Sequence, residues 1–534
     1  MKLSTDLVRM YKEIHGWVGI VSGLALFIAF YAGAITMFEA PLQKWASPPS
    51  QLAQAPSLAR TPELVAKVLA EHPEAAKGYT VNLAIDSAHP ARVSWNEARG
   101  EEAEHGGGTM HYASLGPDGS LQVETSGPSP VAQFVDLLHQ QVGLPFSHEI
   151  AMPIVGAIAL LYFIAIVSGL VVLLPSLVKD LFALRLGRNV KRMWLDLHNV
   201  LGLFSLPFHV VMALTCVVFA FHDQFYAAQA VAFGGPERPA TREAIAPPPE
   251  PLLPPDKIVS RFREQAPGFT PVSLEYRQSP QGESSLRVLG GDIRFAQRGP
   301  DFGAAMVDPA TGEITQTDYL PGHQDGWSAT ITSFFALHFG SFGGMPIRWA
   351  YFLLGLAGGF LFYTGNLLWV ESRRKRERKA GVLEQTRSTR ILAALTVGVP
   401  LGCVAGIAVT VAAAKPLGLS ASPAIHSVIY YAVFLAFVVW ALVRGAARAG
   451  IEQLPAAAGA MLLVPLATLA AMGSHPAIVW AVDVTALAIA LALLAAWRSA
   501  RQRARSGPRD SVWALSGSRS VQPSAAIQAS GGSR

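Results

Sequence analysis

The chain has 534 residues, 51% of them hydrophobic and 15% charged, with a net charge of +5. A soluble chain carries about a quarter charged residues, and here the apolar excess sits in long runs, which excludes an ordinary soluble domain. The basic residues flank those runs instead of lining one soluble face, which sets a nucleic-acid role aside; the only two cysteines, Cys216 and Cys403, both fall inside apolar runs and exclude an external disulfide framework, a cysteine-ligated iron–sulfur cluster and covalently attached haem.

In chain order, residues 1–44 read as a short cytoplasmic N-terminus and a first span, Gly16–Phe38, close to the ~20 residues that cross a bilayer as a helix. Ala32-Gly33-Ala34 has the small residues of a signal-cleavage site. The apolar run is longer than the ~7–15 residues of a secretory signal, so the reading is a retained span. Residues 45–137 are hydrophilic: a linker (Ala46-Ser47-Pro48-Pro49-Ser50), an amphipathic helix over Pro62–Glu71, a strand over Tyr79–Ile85, and a strand–turn–strand over Tyr112–Val123 with Gly116-Pro117-Asp118-Gly119 at the turn. Residues 138–222 hold span two (Pro153–Leu174) and span three (Leu201–Phe221).

Residues 223–330 repeat the hydrophilic design, with a linker at Ala246-Pro247-Pro248-Pro249, a helix over Asp256–Gln265, a strand over Phe269–Leu274 and a hairpin over Ala305–Thr317 turning at Asp308–Gly312. Pro and Gly at those offsets are what tight turns require. Span four, Ala350–Val370, lies in residues 331–372, and a basic loop occupies 373–390. Residues 391–497 carry four further spans, Ile391–Ala412, Ile425–Val443, Ala457–Met472 and Ala477–Trp497, and 498–534 read as a disordered cytoplasmic tail. Every second boundary is rich in Lys and Arg (Lys2, Arg9 and Lys12; Lys179 to Arg192; Arg373 to Lys379; Arg444 and Arg448; Arg498 to Arg505), which places those loops and both termini in the cytoplasm.

The fold class is therefore a polytopic α-helical membrane protein of about eight spans with two small α+β extracytoplasmic domains. Its first part is one helix–domain–helix unit used twice. His15-x-x-x-Gly19 in span one matches His198-x-x-x-Gly202 in span three, and Leu138-His139 with Ser168-Gly169 matches Leu337-His338 with Thr364-Gly365. Parallel repeats of this kind are related by an axis along the membrane normal. That axis exchanges His15 with His198 and His139 with His338, so each pair faces itself near one membrane surface.

Ionisable side chains at membrane depth are costly and point to function. Paired imidazoles supply the two nitrogens that a metal or a bis-imidazole haem needs, so His15, His198, His139 and His338 are the candidate cofactor and metal ligands. The plainer reading, interfacial hydrogen-bonding histidines, suits any one of them alone better than four in a duplicated pattern. Lys12, Arg192 and Arg348 are placed to pair with carboxylates of such a group, and the positive-inside pattern explains the first two equally well. His209, in mid-span three, reads as a relay, an alternative ligand or a packed polar residue, and His222 competes for the outer position. His72, His89, His105, His111 and His323 read as surface residues, His426 and His475 as starts of C-terminal spans, and Asp483, inside the last span, as a functional charge or a residue facing a neighbouring helix. No Walker loop, H-E-x-x-H helix or G-x-S-x-G elbow is present, which removes hydrolase and ATPase readings.

At these residues the chain resembles the PepSY-associated transmembrane helix family of bacterial iron-regulated inner-membrane proteins. The resemblance covers about residues 10–372 and rests on His15-Gly16-Trp17-x-Gly19, Leu138-His139, Asp196-Leu197-His198-Asn199-x-x-Gly202, Leu337-His338-Phe339-Gly340 and the two turn-bearing hairpins, which are similar to PepSY domains. Characterised relatives are dihaem reductases of ferric siderophores. The resemblance implies two b-type haems, an inner-membrane location, and electron transfer from a cytoplasmic reductant or quinol to a periplasmic ferric siderophore or other Fe(III) chelate. It also leaves two rival expectations: a non-enzymatic PepSY sensor or peptidase-regulating binding protein, and an iron or siderophore transporter that uses the C-terminal helices. Those helices depart from the smallest family members.

Overall fold

The computed structural model describes residues 4–86, 89–97, 109–125, 129–177, 190–233, 251–279, 283–299, 302–382, 385–471, 480–507 and 511–515. The loop lysines and arginines at 179–188, the second linker at 246–249, His105 and His475 lie outside them.

The first half runs α1 (Thr5–Thr36), α2 (Glu39–Ala46), α3 (Thr61–Glu71), β1 (Gly78–Asn82), β2 (Val93–Asn96), β3 (Met110–Leu115), β4 (Leu121–Glu124), α4 (Val131–Gln140) and α5 (His148–Leu173). The second runs α6 (Val190–Phe204), α7 (Leu206–Ala220), α8 (His222–Phe233), α9 (Pro255–Gln265), β5 (Thr270–Gln278), β6 (Ser284–Gly291), β7 (Gly303–Val307), β8 (Ile314–Tyr319), α10 (Gly326–Phe339) and α11 (Gly344–Lys379). Four further helices follow among the described residues: α12 (Arg387–Leu417), α13 (Pro423–Arg444), α14 (Ala446–Ala470) and α15 (Trp480–Ser506). Among the described residues, seven helices are long and apolar enough to cross a membrane. The bent pair α6 and α7 makes an eighth span.

Span three is not the straight helix that its hydropathy suggests. Its two segments meet at 67° around Ser205. Pro207 lacks the N–H that would continue the ladder, and the Ser205 hydroxyl donates back to the Leu201 carbonyl at 2.5 Å. His198 therefore sits on α6 and His209 on α7, and a straight-helix spacing between them does not apply. Helix α15 runs on to Ser506, and the Arg503 guanidinium lies 5.3 Å from the Trp513 indole centre, while the expected tail from residue 516 onward lies outside the described residues.

The hydrophilic stretches build a single sheet. Strand order is β4-β3-β2-β1-β5-β6-β7-β8, with antiparallel pairing at every described step. Two four-stranded halves thus join edge to edge where β1 meets β5, from Gly78 opposite Arg277 to Asn82 opposite Ser273. This pairing gives each half's inner strand a partner and removes two exposed edges. Tyr79 and Tyr276, directly opposite, stack at 4.9 Å and 12°. Both amphipathic helices lie on one face: Leu64 and Val68 of α3 share a core with Ile258 and Phe262 of α9 and with strand residues such as Val81, Trp95, Leu274 and Val288. The hairpin turns form as the sequence indicates. Gly119 and Gly312 take φ of +80° and +76°, and the Asp308 carboxylate accepts from the amides of Ala310 and Thr311 at 2.8 and 3.1 Å. Strands β2 and β6 are too short or too mixed to have stood out by alternation.

Below the sheet, α4 and α10 are short helices set ahead of the spans α5 and α11. Each ends in left-handed backbone. Val142 and Gly143 follow α4 with φ of 49° and 74°, and Gly340 caps α10 at 60°. The chain can therefore reverse within a few residues into the next span. Helix α12 is the centre of the C-terminal group, with 83% of its apolar window buried against 17–39% for α13 to α15.

Candidate functional site

The four repeat-related histidines come together as two pairs. His15 on α1 and His198 on α6 have ring centres 6.2 Å apart. His139 on α4 and His338 on α10 stand 6.0 Å apart. The first pair lies at the end of α1 remote from the sheet and the second at the sheet side. Ala29, which touches His139, is fourteen residues from His15, about 21 Å along α1 at 1.5 Å per residue.

Each ring is oriented by its own half of the molecule. Nδ1 of His15 donates to the Ala165 carbonyl on α5 at 2.9 Å. His139 Nδ1 donates to the Ala29 carbonyl on α1 at 2.8 Å. In the second half the acceptors are hydroxyls: Thr364 for His198 at 3.0 Å and Thr215 for His338 at 2.8 Å. Both hydroxyl protons are already committed, Thr364 to the Leu361 carbonyl and Thr215 to the Val211 carbonyl. Each threonine is then free to accept, and the four contacts together suit the tautomer with the proton on Nδ1. The bare Nε2 that remains is the nitrogen that ligates metal, and a fixed Nδ1–H partner is the usual outer-shell support of a ligating histidine.

Glycines make room for the rings. A Cβ at Gly33 would lie 2.7 Å from His139 Nδ1, and one at Gly169 would lie 2.9 Å from His15 Cε1. At Gly365 the nearest approach, to His198 Cε1, is an ordinary 3.4 Å. The sequence flagged Ser168-Gly169 and Thr364-Gly365 as a repeat, but it did not show that they serve the histidines. Gly33 had stood out only as part of a small-residue triplet.

The sheet-side pair opens on a cavity of about 950 Å³, at the upper end of the roughly 300–1,000 Å³ typical of small-molecule and cofactor sites. Its walls are mainly apolar and aromatic, among them Phe30, Tyr162, Phe219, Phe335 and Tyr351. Polar groups are few. Glu39, Gln43 and Asp136 enter from one side, and His148, His222 and Arg348 also line it. Burial first, then the charge of Asp136, pushes the Glu39 carboxyl up to about 7.

The other candidates separate from this pattern. His222 is half exposed and hydrogen-bonds the Phe219 carbonyl and Asp223 at 2.7 and 3.2 Å. His209 faces no second histidine as a pair. It bonds the Tyr162 hydroxyl through Nδ1 at 2.5 Å, its buried Nε2 has no partner among the described residues, and Phe30, Phe208 and Phe362 pack around it. Arg192 pairs with the buried Asp196 at 3.1 Å, whereas Arg348 lines the cavity. His72 and His111 flank Trp95 in the sheet, and His426 is fully buried in α13. Among the described residues no three or more His, Cys, Asp or Glu gather as they would to hold a metal ion alone. The arrangement offers two imidazoles per site.

The family described as the PepSY-associated TM region matches residues 12–372. No curated protein matches the chain.

Proposed function

The chain belongs to the family of the PepSY-associated TM region, and from that premise and its two histidine pairs we propose that it transfers electrons across the bacterial inner membrane through two b-type haems and reduces a periplasmic ferric siderophore or other Fe(III) chelate for iron uptake. In this reading both termini are cytoplasmic and the sheet is periplasmic.

The observation that carries the proposal is the spacing of the pairs. Two imidazoles that were to hold one metal ion, each with a metal–nitrogen distance of about 2 Å and about 1 Å more to its ring centre, would stand about 6 Å apart, centre to centre. The rings stand at 6.2 and 6.0 Å, with all four Nδ1 atoms engaged and Nε2 left over. The residues present fit the group. His15 and His198 would hold one haem, and His139 and His338 the other. When bound, haem supplies a one-electron carrier at each pair. The protein's part is to fix the ligands and exclude water. Ala165, Ala29, Thr364 and Thr215 lock the rings. Arg348 offers a cation to a carboxylate in the sheet-side cavity. The aromatic packing of Phe30, Phe362, Tyr162 and His209 keeps the interval between the pairs dry. One electron converts Fe(III) to Fe(II), which hard-oxygen chelators hold far less tightly.

Proteoliposomes enclosing a reductant test the reading. Added outside, a ferric chelate with a colorimetric Fe(II) trap should develop colour only when the protein is present, and His198→Ala should abolish it. Equal colour from His198→Ala and the unaltered protein would sink the assignment.

A further inference from the structure

The family match ends at residue 372, so helices α12 to α15 lie outside it. Their packing gives them a task. Helices α2 and α4 each have two faces. Glu39, Ala40 and Gln43 of α2, and Asp136, His139 and Gln140 of α4, line the sheet-side cavity. These positions recur at the three- and four-residue intervals of one helix face. The opposite faces, Leu42, Trp45 and Ala46 on α2 and Val131, Phe134, Val135 and Leu138 on α4, are buried in one core with α12 to α15.

A polar chain fastens that contact. Trp45, fully buried, donates its indole N–H to Thr468 on α14 at 2.9 Å, and Thr468 donates to the buried Asp483 on α15 at 2.9 Å. From α12, the Lys415 ammonium donates to the Trp45 carbonyl at 2.6 Å and lies 4.4 Å from its ring centre. Around α4, Tyr430 and His426 of α13 pack on Phe134 at 5.8 and 6.2 Å, and the Tyr431 hydroxyl donates to the Gly143 carbonyl at 3.4 Å. The partner helix α10 is held differently: it packs mainly on α7 and β8, its Leu337 carbonyl accepts from the Tyr351 hydroxyl of α11 at 2.7 Å and its Thr332 hydroxyl from Arg298 at 3.3 Å, and Phe334 and Leu337 remain 37% and 40% exposed. The C-terminal helices also meet α11, by apolar contact at Leu367 and Val370 and by hydrogen bonds from Thr389 to Glu377 and from Arg373 to Ser388, both at 2.9 Å.

We propose that α12 to α15 are a positioning frame for one member of the sheet-side pair, His139, acting through α2 and α4, with Trp45, Thr468, Asp483 and Lys415 as its latch. The frame fixes one wall of the cavity while α10 supplies the other independently.

Hydrogen–deuterium exchange on the full-length protein in nanodiscs tests this. Asp483→Ala and Thr468→Val should speed exchange in residues 39–46 and 131–140 by about tenfold while leaving 326–339 unchanged. Thr468→Ser should restore the original rate. Trp45→Phe, which keeps an aromatic side chain but removes the donor and part of the buried volume, should give the same local effect should Asp483→Ala fold poorly. Arg444→Ala, which breaks the exposed Arg444–Glu452 pair elsewhere in the frame, should change neither segment. Unchanged exchange in 39–46 and 131–140, or equal acceleration in 326–339, overturns the proposal. A second readout rests on the haem reading: the midpoint potential of one centre should move in Thr468→Val and that of the other should stay. Movement of both or neither overturns a positioning role. Failure of the unaltered protein to bind haem would sink the functional reading alone, and the exchange result still decides the frame.

Discussion

Replacing Gly33 with alanine should disable the sheet-side pair selectively. The new methyl would sit 2.7 Å from His139 Nδ1 and 2.8 Å from Cε1, against the roughly 3.5–4.0 Å of an unstrained contact. The ring must retreat by the better part of an ångström. Its bond to the Ala29 carbonyl, now 2.8 Å, then passes the limit of useful geometry and forfeits about 0.5–1.5 kcal/mol. Overpacking adds about 1–3 kcal/mol, partly offset by about 1 kcal/mol of helix propensity gained over glycine. The net is a loss of about 0.5–3.5 kcal/mol together with a misaligned ligand. Gly169→Ala, at 2.9 Å from His15 Cε1, should do the same to the far-side pair. Gly365→Ala, at 3.4 Å from His198, should be harmless or stabilising. Haem content and the low-spin absorption of the three purified variants give the readout. Gly33→Ala and Gly169→Ala should each retain one normal centre, and Gly365→Ala two. If Gly365→Ala is as damaging as Gly33→Ala, the steric reasoning fails.

Thr215→Val and Thr364→Val should leave a buried Nδ1–H unpaired at a cost of about 1–3 kcal/mol and lower cofactor affinity about 10–100-fold; Thr→Ser at either position should recover most of it, as measured by haem loss to apomyoglobin. Tyr162→Phe should leave both nitrogens of His209 unpartnered and lower the melting temperature, and adding His209→Leu should restore part of the loss; a double variant less stable than the single would contradict the pairing. Burial pushes the Asp86 carboxyl up, but hydrogen bonds from His89 and Lys44, with the 2.6 Å Lys44 ion pair, outweigh it and hold the carboxyl well below its ordinary value. Its folded pKa is depressed, so its contribution is present above about pH 4 and fades as the pH falls further. Because Lys44 lies on α2 and Asp86 beyond β1, acid should loosen the sheet from the membrane helices, and Lys44→Met should flatten that dependence in amide exchange of the sheet.

Hydropathy located the spans, because an apolar run near twenty residues has few other uses. The repeat located the four histidines, because it put like residues at like depths. Local signals also gave α3, α9 and both hairpins, whose turns need the left-handed residues Gly119 and Gly312. What the sequence withheld was long-range. The joining of β1 to β5 depends on which edges are left bare once two domains sit side by side, and no residue pattern in either strand records it. The bend at Ser205 was marked by Pro207, but a proline in an apolar run fixes neither angle nor direction. Thr215 and Thr364 look like any hydroxyl in a span until the fold brings His338 and His198 to them. The buried faces of α2 and α4 were equally hidden, since their partners lie over 250 residues away on helices outside the repeat.

The most direct test is the haem stoichiometry of the purified full-length protein by its pyridine haemochrome and dithionite-reduced spectra. The account predicts two b-type haems per chain with a sharp α-band on reduction, falling to one in His198→Ala and to one in His338→Ala. A reduced spectrum without a Soret shift or α-band, or two haems retained in either variant, would contradict it.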